Sequence, residues 1–173
     1  YFGSPGLGAS IPVDAVLNYG DATGMNNPTM TVIARSLAED WIIVERVFNK
    51  QYANPGGSYL VSFNSCCRIG ALYNGSNANY ELRTRIAPGL NNSSPVVSAV
   101  PVVYMPKSVA STFQIVASDP NNNPIRYRIA TPAENGNVAA PTGLTINSTT
   151  GLITWNNNAL PDLNFWSVQV IVE

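Results

Sequence analysis

The chain has 173 residues, enough for one large domain or two small ones of about 80–100 residues each. Only 11 % of the residues are Asp, Glu, Lys or Arg, against about 25 % in an ordinary globular domain, and the net charge is −1, which leaves neither nucleic acid nor an anionic membrane as an obvious partner. There is no histidine, so the usual general base, the commonest metal ligand and the usual partner of a Ser or Cys nucleophile are all absent.

In chain order, the segment from Tyr1 to Ile11 is rich in small residues and is expected to be extended. The chain starts without Met and without a basic-then-apolar leader, and reads as a processed or excised segment. Strands are expected at 29–34 and 41–48, with 34–40 forming a helical turn or a short loop. Further strands are expected at 58–64 and 80–86, the latter with Tyr80, Leu82, Thr84 and Ile86 on one face and Glu81, Arg83 and Arg85 on the other. Others follow at 96–104, 110–117, 125–129, 142–146, 151–155 and 166–172. In 125–129, Ile125, Tyr127 and Ile129 alternate with Arg126 and Arg128; in 166–172, Trp166, Val168, Val170 and Val172 share a face. Turn residues separate these runs at 54–57, 74–76, 119–124 and 148–151. No run approaches the roughly 20 apolar residues of a membrane helix.

Many short strands at near-regular spacing predict an all-β fold of two tandem β-sandwich domains. The segment 87–95, rich in Pro, Gly and small polar residues, marks the boundary. The expected division is a sandwich at 1–88, a linker at 89–95 and a second sandwich at 96–173, the pair immunoglobulin-like or jelly-roll-like. Twenty-one Asn, with abundant Ser and Thr, must keep the surface wet in place of charge. Such a surface suits an extracellular protein carrying glycans; a low-charge protein of unusual lineage is the plainer alternative.

Two stretches of the second half carry a resemblance. Ala117–Tyr127, reading Ala-Ser-Asp-Pro-Asn-Asn-Asn-Pro-Ile-Arg-Tyr, is similar to an Asp-Pro-Asp-Gly-Asp-Pro-Leu-Thr-Tyr turn and strand. Pro141–Trp155 is similar to a Pro-x-Gly-Leu-x-Ile-x-x-x-Thr-Gly-x-Ile hairpin. Both resemble the cadherin-like and immunoglobulin-like modules of surface proteins. Gly151 can take the positive φ that closes the hairpin, with Leu144, Ile146 and Leu152, and either Ile153 or Trp155, packing inward. In the first half, Asn18–Ala22 and Gln51–Val61 resemble the two landmarks of polycystic-kidney-disease-type (PKD) repeats, although the Trp, the second Gly and the His of that pattern are absent and one Gly is inserted.

The resemblance also implies a cation site. In the cadherin-like turn, Asp side chains offer hard oxygens to calcium; here the positions are Asp119, Asn121 and Asn123, with Glu134 or Asp162 able to add charge. A plain Asx turn is the competing reading, and no other cofactor is expected. Cys66 and Cys67 are neighbours, so in a strand they point to opposite faces and cannot staple distant segments of the chain. They can form a vicinal disulfide, remain two buried thiols or bond another chain; alone they cannot hold zinc. Asn74, Asn91, Asn92 and Asn147 begin Asn-x-Ser/Thr sequons and are candidate glycosylation sites, Asn91 and Asn92 overlapping. Trp41, Trp155 and Trp166 could form a sugar platform or pack in cores. Gly-rich residues 3–8 lack the strand–turn–helix context of a nucleotide loop.

These readings favour a structural or adhesive extracellular protein, a glycosylated fibre subunit or tandem adhesin module. Its partners would be copies of itself or neighbouring modules, joined head to tail by strand addition between Tyr1–Ile11 and the edge at Val170–Glu173. The competing functions are a carbohydrate-binding module of a secreted protein and a hydrolase using Asp14 with Asp21 or Glu39 with Asp40.

Overall fold

The computed structural model describes residues 5–38, 41–100, 102–161 and 164–173. Among these the β-branched and aromatic runs form fourteen short strands and no α-helix. The chain is all-β, built of antiparallel sheets in two immunoglobulin-like sandwiches.

The first half contains β1 (Ser10–Pro12), β2 (Ala15–Asn18), β3 (Gly24–Asn26), β4 (Thr29–Ser36), β5 (Trp41–Glu45), β6 (Tyr59–Ser65) and β7 (Tyr80–Ile86). One sheet runs β1-β4-β5 and the other β3-β2-β6-β7. Period-two burial sets the faces: Ala15 and Leu17 of β2 are buried while Val16 and Asn18 are exposed, and Val32 of β4 is sealed in.

Several details differ from the sequence reading. Strands β1 to β3 are additional; they are short, with Pro, Gly and Asn among their residues, and they form through pairing with β4 and β6 rather than from their own propensity. Strand β4 runs on to Ser36, so no helical turn forms there; Glu39 and Asp40 lie outside the described residues. Leu82 is 53 % exposed, because β7 is the edge of its sheet and its apolar face is incompletely covered. The start of the chain is not a loose arm from residue 8 onward. Gly8 N–H donates to the Val32 carbonyl at 2.8 Å, Val32 N–H donates to the Ala9 carbonyl at 2.9 Å, and Ser10 to Pro12 pair with β4. Residues 1–4 lie outside the described set.

The second half contains β8 (Val96–Ser98), β9 (Ser111–Gln114), β10 (Val116–Ser118), β11 (Tyr127–Ile129), β12 (Leu144–Ile146), β13 (Leu152–Trp155) and β14 (Val170–Val172), paired as β8-β10, β12-β13-β9 and β11-β14. Ile115, Tyr127 and Ile153 form its core, with Phe113, Ala117, Ile125, Leu144, Ile146, Val170 and Val172 against them. Gly151 closes the β12–β13 hairpin at φ +73, and a Cβ there would lie 2.9 Å from the Tyr127 ring. Both Ile153 and Trp155 face inward, and Leu152 points out, 39 % exposed. Strand β8 ends at Ser98, short of the expected 104, and the described residues 99, 100 and 102–104 join no strand; the sequence of that run includes a proline, a residue without the N–H that a ladder needs. Strand β14 starts only at Val170, because Trp166 and Ser167 are engaged by the first half.

Candidate functional site at the junction of the two halves

The fourteen residues between β6 and β7 lie largely at the surface, with Arg68, Leu72, Asn74, Gly75 and Ala78 half-buried. They make an arm that reaches into the second half. Its root is the pair Cys66–Cys67, bonded to each other as a vicinal disulfide. Both residues are exposed, and the peptide between them is cis. Next comes Arg68. Its backbone N–H donates to the Ala78 carbonyl at 2.9 Å, closing the arm on itself. Its guanidinium donates to Ser167 Oγ, to the Asn135 carbonyl at 3.2 Å and to Asn135 Oδ1. Burial pulls the Arg68 pKa below its ordinary value. Asn135 is 1 % exposed and turns its own Nδ2 to the Val138 carbonyl at 3.1 Å.

Further along, Leu72 forms a parallel bridge with Phe165, and Tyr73 N–H donates to the Phe165 carbonyl at 2.8 Å. The Tyr73 ring lies 4.4 Å from that of Trp166, which meets Trp155 edge-on. Asn74 completes the grip. Its Nδ2 donates to the Ala139 and Ser167 carbonyls, each at 2.8 Å, and its Oδ1 accepts from Ser167 N–H at 2.7 Å. Gly75, at φ +77, passes so close to Val138 that a Cβ would collide with it at 2.6 Å.

The four sequons therefore sit in different surroundings. Asn74 is half-buried with its amide committed across the junction. Asn91, Asn92 and Asn147 are exposed. Asn91 is left-handed (φ 46) at the end of the short 3₁₀ turn Pro88–Leu90, and Asn147 Oδ1 accepts from the N–H groups of Thr149 and Thr150, each at 2.9 Å.

The Asp119 turn holds the linker. Asp119 Oδ1 accepts from Asn121 N–H at 2.8 Å and Asn123 N–H at 3.1 Å. Asn121 Oδ1 accepts from Ser93 N–H, and Asn123 Nδ2 donates to Asn92 Oδ1, each at 2.7 Å. Of the candidate ligand oxygens, Asp119 Oδ1 and Asn121 Oδ1 each accept from backbone amides. Glu134 does not join them: it forks onto Arg128 with both bonds at 2.8 Å and accepts from Thr131, and these partners hold its carboxyl well below the usual carboxylate range. Asp162 lies outside the described residues, among which no group of three His, Cys, Asp or Glu gathers.

The two landmark segments of the first half do come together. Tyr52 Oη donates to the Tyr19 carbonyl at 3.0 Å and its ring stacks on Tyr59 at 4.0 Å. Lys50 lies over the Tyr19 and Tyr52 rings and pairs with Asp21 at 2.7 Å. Bonding to Lys50, then to Thr23, lowers the Asp21 pKa to about 2. Asp14 precedes β2 and Asp21 follows it, so they stand at opposite ends of that strand and form no catalytic pair. Trp155 is buried and Trp166 packs on it, so these two do not form an exposed sugar platform. Sequence reasoning missed the arm altogether, although its Cys-Cys and Asn-Gly-Ser motifs were both visible.

A family model described as "Integrin beta-like protein A-E, N-terminal" matches residues 1–89, and one described as "Putative Ig domain" matches residues 94–172. The first of these matches covers the half that carries the Asn18–Ala22 and Gln51–Val61 segments. Among curated proteins, integrin beta-like protein A of Dictyostelium discoideum is 28 % identical over 171 residues, covering 91 % of this chain and 8 % of its own length. Integrin beta-like protein E of the same organism is 28 % identical over 144 residues, covering 77 % of this chain and 7 % of its own. Integrin beta-like protein C, also from that organism, is 29 % identical over 115 residues, covering 61 % and 6 %. The chain thus spans less than a tenth of the length of these relatives, and none of their names denotes an enzyme. No solved structure matches.

Proposed function

We propose, from the premise that this chain belongs to the family of the integrin beta-like protein A–E N-terminal region, that it is an extracellular adhesion segment of a longer surface protein. Its two sandwiches work as one piece. The observation that carries this reading is the arm from Cys66 to Asn79. It joins a family-specific first module to an immunoglobulin-like second one through side-chain, backbone and ring contacts. A segment that bears load between a cell and its surroundings needs such a junction, because a free linker would let the modules turn independently.

The surface chemistry supports an extracellular setting: few charges, many amides, exposed sequons at Asn91, Asn92 and Asn147, and a disulfide. The partners we infer are neighbouring modules or other copies of the chain, meeting at strand edges. Strand β5 is the edge suited to this. It pairs only with β4 among the described residues and exposes Ile42 and Ile43, the latter at 48 %.

Adhesion is tested by removing residues 1–173 from the full-length protein in the cell that makes it. Cells with unchanged surface expression should detach at lower shear. Unchanged detachment at equal surface expression would overturn the reading.

A further inference from the structure

Among the described residues, the Cys66–Cys67 bond is a piece of reactive chemistry that adhesion does not use. Both residues are exposed, so a thiol in solution can reach the sulfurs. The pair stands where a rigid strand becomes the arm. On the strand side, buried Ser65 sits with its Oγ at the carbonyl oxygens of Asp14 and Cys66. On the arm side, Arg68 follows at once and bonds Ser167 and Asn135 of the second module.

We infer that Cys66–Cys67 is a thiol–disulfide exchange site, taking small dithiol reductants, whose state sets how firmly the arm grips the second module. A thiolate of the dithiol attacks one sulfur. The Cys–Cys bond breaks, and the leaving sulfur keeps the electron pair and takes a proton. The dithiol's second sulfur then displaces the other cysteine, which leaves as a thiolate and is protonated. The protein gains two electrons and two protons, and the reductant leaves as its own cyclic disulfide. Closed, the ring fixes the backbone of both cysteines and hence the direction in which Arg68 enters the junction. Open, those residues recover backbone freedom, and the grip of Arg68, Tyr73 and Asn74 must be maintained against it.

The test is amide hydrogen exchange on the full chain before and after dithiothreitol, with the mass measured in parallel. The expected result is a gain of about 2 Da, two hydrogens, with the Tyr73 and Ser167 amides exchanging about tenfold faster, the size expected from freeing roughly one residue's backbone. The Ile115 amide, which bonds the Gly151 carbonyl in the second core, should keep its protection. The double variant Cys66→Ala/Cys67→Ala should show the fast pattern with and without dithiol. No gain in mass, a gain without faster exchange at Tyr73 and Ser167, or loss of protection at Ile115 as well would each overturn the proposal.

Discussion

Asn74 shows how one side chain can join two modules. Its carboxamide makes three hydrogen bonds to Ala139 and Ser167, on a segment 93 residues away in the case of Ser167. At about 0.5–1.5 kcal/mol net for each bond, Asn74→Ala should lower stability by about 2 kcal/mol, measured by urea unfolding. Glycosylation would take the same Nδ2, so we expect carbohydrate at Asn91 or Asn92 and at Asn147 but not at Asn74, as read by peptide mass spectrometry of native material after glycosidase treatment. A glycan at Asn74 would contradict the junction. Asp21 is the residue for a pH test. Its folded pKa, about 2, lies below its ordinary 3.8, so its contribution is present above about pH 4 and is lost as pH falls towards 2. Carboxyl NMR should follow that titration, and Lys50→Met should move it upward. In the sequence Asn74 is only a sequon: the motif records the acceptor residue and carries nothing about a partner on another strand.

Strands were legible where their signals are local. The β12–β13 hairpin could be read because Gly151 has to take a positive φ and Leu144 and Ile146 alternate around it. At the start of β11 the burial of Tyr127 and the exposure of Arg126 just before it follow the pattern, while Arg128 and Ile129 are both half-buried. Strands β1 to β3 could not be read so, since they contain Pro, Gly and Asn and exist through distant partners. The face of β7 was readable, but its position at a sheet edge was not. The arm lay between two readable strands and had no periodicity of its own. Two tests belong here. Gly75→Ala forces a Cβ onto Val138 at φ +77 and should destabilise by more than about 1 kcal/mol, seen as a lower urea midpoint. On β5, Ile43→Lys puts charge on an exposed apolar edge; sedimentation should show less self-association with the melting temperature nearly unchanged.

The two halves make one molecule through the arm, which ties a sandwich with few buried apolar residues, Ala15, Leu17 and Val32, to one with a fuller core. The second fastening, from Asn121 and Asn123 of the Asp119 turn to Ser93 and Asn92, holds the linker against the second module. Composition marks 87–95 as a change in the chain, but composition could not show that the arm at 66–79 bonds residues of the second half. On the proposed reading, an adhesion segment built this way would keep its two modules in a fixed orientation. The most direct check is the set of residual dipolar couplings for backbone amides of 15–86 and 111–172 in one weakly aligned sample. The account predicts a single alignment tensor fitting both halves, splitting into two when Arg68 and Asn74 are both replaced by Ala. Two independent tensors in the unmodified chain would contradict it.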